Sequence, residues 1–132
     1  TAKQMQKDML SLQYSGALVN FIEIDLPDSS KIKIQNTLEL QNKIATIVAM
    51  YNITGSYTNP ILLELHTFNG VIIVEFDDIT FTSMVEKVKS HIEDCGKRYN
   101  ALMNDINSQT NIVTVSKEDL SSGWPFVDVF EE

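Results

Sequence analysis

The dipeptide Asn69-Gly70 stands between two apolar runs, residues 61–68 and 71–78, and no other feature constrains the fold as tightly. Asn-Gly is the favoured centre of a two-residue type I′ hairpin turn, because both central positions need φ > 0. An antiparallel hairpin is expected here, which excludes an all-helical fold. With the turn on Asn69 and Gly70, Phe68 pairs with Val71 and the other pairs follow by counting outward. The core face then holds Thr67 with Ile72, Leu65 with Val74 and Leu63 with Phe76. The opposite face holds His66 with Ile73, Glu64 with Glu75 and Leu62 with Asp77.

A second hairpin is expected upstream. Residues 17–26 read as a strand from Val19, Phe21, Ile22 and Ile24. Pro27-Asp28-Ser29-Ser30 is a strong turn signal, and Ile32 and Ile34 alternate with lysines in a short returning strand. Before it, Ala2, Met5, Met9 and Leu12 share one helical face, and Ser15-Gly16 is expected to end that helix. After it, Asn36 followed by Glu39 resembles a capping box that opens a helix lined by Leu40, Ile44, Ile47, Val48 and Tyr51. Residues 52–59 read as a polar connector.

Ser83 and Glu86 form a second capping-box pattern, and a long helix is expected from there to about Asn107. Along it Val85, Val88, Ile92, Cys95, Tyr99, Leu102 and Ile106 repeat at three and four. This heptad seam is narrower than the stripe of an ordinary surface helix. The first helix could cover half of it, which leaves Val85, Val88, Ile92, Tyr99, Leu102 and Ile106 as a candidate dimer interface. Gly96 beside the seam suggests a close approach or a bend. A last strand is expected at 112–115, and the tail alternates apolar residues with acids. The expected fold is α+β: one antiparallel sheet built from two β-hairpins, covered by the two longer helices, with an N-terminal helix and a C-terminal strand.

The chain has 132 residues, the length of a single domain, and should bury about 68% of its extended surface without metal or disulfide staples. Ten basic against eighteen acidic residues give a net charge of −8, which argues against nucleic acid and against anionic membrane as partners. The negative field is concentrated after residue 66, and such a field steers a basic protein partner. No apolar run is long enough to cross a bilayer, the N-terminus does not read as a signal peptide, and a lone cysteine fits a reducing compartment, so a cytoplasmic location is expected.

Enzymatic motifs are scarce. The sequence holds no glycine-rich phosphate loop, no G-x-S-x-G, no H-E-x-x-H and no paired C-x-x-C. With two histidines and one cysteine, nucleophilic triads and structural zinc sites lack raw material. His91 and Cys95 lie one turn apart, but two ligands do not complete a site, and a cysteine on an apolar seam behaves as a small hydrophobe. Glu64, His66, Glu75 and Asp77 share the outer face of the Asn-Gly hairpin. Opposed glutamates destabilise a ladder unless a cation, a lysine or a basic partner offsets them. Trp124 and Phe126 amid the acidic tail form a second candidate docking segment.

These features point to a non-enzymatic protein-binding module, dimeric or part of a heteromeric complex, with no catalytic residues, metal or cofactor. Candidate partner-binding residues are Glu64, His66, Glu75, Asp77, Trp124 and Phe126. An immunity protein or stoichiometric inhibitor that occludes a basic site is an alternative reading. A small metal-binding or carboxylate-dependent enzyme domain centred on Glu64, His66, Glu75 and Asp77 is another. In size, acidity and element order the chain resembles the small acidic dimeric chaperones of type III secretion and the roadblock and longin platform domains. That likeness is architectural, carries no shared residue motif, and would imply dimerisation and protein partners.

Overall fold

Thr67 decides where the second hairpin turns. Its Oγ1 accepts the Asn69 N–H at 3.2 Å and donates to the Gly70 carbonyl at 2.6 Å. The turn therefore centres on Phe68 and Asn69, and positive φ falls on Gly70 alone, at 128°. Strand β3 (Ile61–Thr67) pairs with β4 (Gly70–Phe76) so that Thr67 faces Gly70, Leu65 faces Ile72, Leu63 faces Val74 and Ile61 faces Phe76. The expected pairing of Phe68 with Val71 is thus displaced by two residues. Because side chains alternate with period two, a two-residue displacement leaves each residue on its expected face and changes only its neighbours.

The computed structural model describes residues 2–57, 60–108, 120–121 and 123–125. In chain order the elements are α1 (Ala2–Leu18), β1 (Phe21–Asp25), β2 (Lys31–Gln35), α2 (Leu38–Thr54), β3, β4 and α3 (Asp78–Asn107). The class is α+β. β1 and β2 form the first antiparallel hairpin, with Ile22 opposite Ile34 and Ile24 opposite Ile32. The two hairpins remain separate two-stranded sheets; β2 lies beside β3 without joining its ladder, so the single expected sheet is not formed. The strand expected at 112–115 lies outside the described residues.

Several element ends differ from expectation for local reasons. α1 runs through Gly16 to Leu18, since Ala17 is buried and its carbonyl is tied to the long helix. The first strand accordingly begins later, at Phe21. α2 is capped by Thr37, whose hydroxyl accepts the Leu40 N–H at 3.1 Å. Asn36 is buried instead, donating to the Leu18 carbonyl at 3.0 Å, so the Asn36–Glu39 capping box is absent. α2 continues to Thr54 and stops at Gly55, whose φ of 80° suits a residue without a Cβ. α3 begins five residues before Ser83. Asp77 caps it, accepting from the Thr80 N–H at 2.8 Å and the Thr80 hydroxyl at 2.7 Å. The earlier start brings Phe81 and Met84 into the core, where both are fully enclosed.

Two cores lie along α3. The larger joins the inner faces of both hairpins to α2 and the first half of α3, with Ile24, Ile34, Leu63, Leu65, Phe81 and Met84 at its centre. The smaller joins α1 to the second half of α3 through Leu10, Leu102, Ile106 and Leu120. Tyr14 links it to Tyr99, with ring centroids 4.6 Å apart. Among the described residues, nothing beyond its own helix backbone lies within 4 Å of where a Gly96 Cβ would sit, so it marks no close approach there.

Candidate functional site

The outer face of the β3–β4 hairpin carries Leu62, Glu64, His66, Val71, Ile73 and Glu75, as alternation requires. The observed register separates the two glutamates: Glu64 faces Ile73, Glu75 faces Leu62, and His66 faces Val71. The two glutamates are diagonal neighbours rather than directly opposed. Glu64 and His66 instead border a small pocket of about 120 Å³ with Glu39 and Lys43 of α2, which brings a lysine to the same hollow. Asp77 stands apart as the α3 cap, and those two hydrogen bonds from Thr80 hold its carboxyl below the usual 3.8. Among the described residues no group of three or more His, Cys, Asp or Glu is placed to hold a metal ion.

β4 is unusually bare. Val71 is 52% exposed, Ile72 36% and Ile73 72%, so apolar side chains meet solvent on both faces of one strand. The reason lies in the packing. The inner face of β3 is sealed, with Leu63 and Leu65 fully buried, whereas the core reaches β4 chiefly at Phe76. Beyond β3, β4 has no ladder partner among the described residues.

A second apolar surface opens between α2 and α3. It is a groove of about 590 Å³ floored by Ile44, Val48, Val85, Val88 and Ile92, with Ala45 and Ala49 on its α2 wall. Gln41, Asn52, Lys89 and Glu93 form its polar rim. Val85 and Ile92 of the heptad seam are only half-buried here, and Val88 is buried against the core. The remaining seam residues meet this chain's own elements. Leu102 and Ile106 are enclosed with Leu10 and Leu120, and Tyr99 packs against the same group. The seam is thus spent internally in its second half and open in its first.

Trp124 lies half-buried at the edge of the smaller core, where its indole N–H donates to the Leu120 carbonyl at 2.7 Å and its ring stacks 6.1 Å from Tyr14. Phe126 lies outside the described residues. His91 Nε2 lies 2.7 Å from the Ala17 carbonyl, so that nitrogen carries the proton and donates it. Cys95 Sγ sits 3.7 Å from the same nitrogen. Burial, with a smaller contribution from Asp94, pushes the Cys95 thiol up to about 11, so it is no nucleophile at neutral pH. His91 ties α3 to α1 through the Ala17 carbonyl, and Cys95 lies buried beside it.

Sequence reasoning missed the groove because Ala45 and Ala49 carry no chemical signal of their own, and only the packing of α2 against α3 makes them a wall. The bareness of β4 was legible in part, since Val71–Val74 is an uncharged run. No helix among the described residues is long and apolar enough to cross a membrane. Comparison of the chain with protein-family models, curated proteins and solved structures finds no match.

Proposed function

We propose that this chain is a non-enzymatic protein-binding module of the cytoplasm, an adaptor, chaperone-like protein or complex subunit that dimerises. The observation that carries the reading is the open groove between α2 and α3. Exposed apolar surface rimmed by polar residues is the kind of surface at which a protein partner docks. A second copy of the chain is the occupant. The rim offers one cation, Lys89, and one anion, Glu93, a turn apart on α3. Within one helix that order, lysine before glutamate, is the weaker of the two for pairing. Across a two-fold axis the same residues become complementary, each lysine meeting the other copy's glutamate, as a self-complementary interface requires.

Native mass spectrometry tests the proposal against Ala45→Glu and Ala49→Glu. Both alanines are exposed and stand on the groove wall, so the changes add charge without removing core. Wild type should give a dimer mass and both variants a folded monomer. A wild-type monomer at tens of micromolar, or variants that remain dimeric, would refute it.

The negative charge supports a further reading, a stoichiometric inhibitor covering a basic site. Residues 60–86 contain no Lys or Arg, while Glu64, Glu75, Asp77, Asp78 and Glu86 all fall within them.

A further inference from the structure

We infer that the edge of β4 facing away from β3, which has no ladder partner among the described residues, is a docking site for an extended segment of another protein, basic at one end, that adds to the β3–β4 sheet as a third strand. The inference rests on the protein-binding reading and names the partner's chemistry. Sheet edges that remain single are normally blunted by lysine, proline or a bulge. The first hairpin follows that rule, with Glu23 and Asp25 on β1 and Lys31 and Lys33 on β2. β4 departs from it: Val71, Ile72, Ile73 and Val74 are uncharged, contain no proline, and pair in an unbroken register with β3. Backbone groups facing away from β3 supply main-chain hydrogen bonds to an added strand, and exposed side chains on both faces supply its apolar contacts.

Charge chooses the occupant. At its C-terminal end the edge runs into Glu75, Asp77 and Asp78, all exposed, with Glu64 on the adjacent strand. The chain's own C-terminal segments are a poor match: no lysine or arginine lies between Arg98 and residues 112–115 to stand beside those acids in antiparallel addition, and Asp128, Glu131 and Glu132 would repel them. A second copy paired antiparallel through its own β4 would set Gly70 and Val71 beside those acids, and residues 60–86 hold no lysine or arginine to meet them. A lysine- or arginine-bearing segment brings the opposite sign. Antiparallel addition, the more stable arrangement, puts its basic residues at its own N-terminal end, beside Glu75 and Asp77.

Fluorescence anisotropy with the full chain tests this, using a labelled short peptide that alternates valine and threonine behind two N-terminal lysines. Three comparisons accompany it: a twin with glutamates for the lysines, a twin N-methylated at alternate amides, and the protein variant Ile73→Lys. Ile73 is exposed and faces Glu64, so the substitution leaves the core untouched. The lysine peptide should bind, and each of the three changes should weaken it roughly tenfold or more. Ala49→Glu, which breaks the dimer, should leave peptide binding unchanged, so failure of the groove and failure of the edge are read separately. No binding of the lysine peptide, equal binding of all three peptides, or undiminished binding to Ile73→Lys would overturn the inference. So would assembly of the wild type through β4 with itself, seen as a mass above the dimer that Ile73→Lys abolishes.

Discussion

Replacing Leu102 by alanine separates a core residue from an interface residue. Leu102 is 2% exposed and sits among Leu10, Ile106 and Leu120, with Tyr99 and Trp124 at the margin. Removing three carbons forfeits about 2.4 kcal/mol at roughly 0.8 kcal/mol per methylene. A residual cavity of about 40 Å³ adds close to ~1 kcal/mol. The expected loss is therefore about 3.4 kcal/mol, a fall in Tm on the order of 12 °C for a chain of this length. The assay is urea unfolding followed by the fluorescence of Trp124, the single tryptophan, which touches the affected cluster. Measurements at two protein concentrations roughly a hundredfold apart complete the test, because stability drawn from a subunit contact falls on dilution whereas core packing does not. Any dimer dissociation shifts wild type and variant together, so the difference between them should stay constant. A difference below about 1 kcal/mol, or one that changes with dilution, would refute the placement of Leu102 in an internal core.

Two further outcomes follow from the packing and the charges. Gly96→Ala should stabilise the chain by about 0.8–1.0 kcal/mol, since Gly96 lies mid-helix with open space around its Cα among the described residues; a thermal melt showing no gain would contradict that geometry. The Ser30 side chain and backbone N–H hold the Asp28 carboxyl low, and Thr80 does the same for Asp77, so both titrate below 3.8 in the folded state. The unfolded chain then takes up protons first, and stability from these two sites is full above 3.8 and lost as the pH falls through the folded values. The double variant Asp28→Asn with Asp77→Asn keeps turn and cap but cannot titrate, so its acid unfolding curve should be flatter than wild type; superimposable curves would refute the assignment.

The second hairpin shows how much the residues alone could say. Its existence and the faces of residues 61–67 and 71–76 were legible, because alternation survives an even shift of register, whereas Asp77, expected on the outer face, leaves the strand to cap α3. The cross-strand neighbours were not, because the Thr67 hydroxyl moved the turn back by one residue at each end and took Glu64 and Glu75 out of direct opposition. The cap of α3 was misplaced for a comparable reason. Ser83 with Glu86 and Asp77 with Thr80 are both plausible starts, and only the space beneath Phe81 and Met84 favours the earlier one. The seam from Val85 to Ile106 was legible as apolar, and the first helix was expected to cover half of it, as Leu10 does with Leu102 and Ile106; that Leu120 joins that half and that the other half opens into a groove was not legible. The expected sheet failed at a single junction, where β2 and β3 approach without pairing.

The 30 residues of α3 span about 45 Å, and the two cores grip opposite ends of that rod. Between them the tie to α1 is polar: the His91 contact to the Ala17 carbonyl, with Cys95 beside it. Such a layout favours unfolding in stages, because the end holding α1 shares little apolar contact with the end holding the hairpins. The amides of α1 and of the last turns of α3 should then exchange with solvent together and ahead of those of β3 and early α3. The helix acts as a shaft on which one terminal grip can be released while the β4 edge and the groove keep their shape.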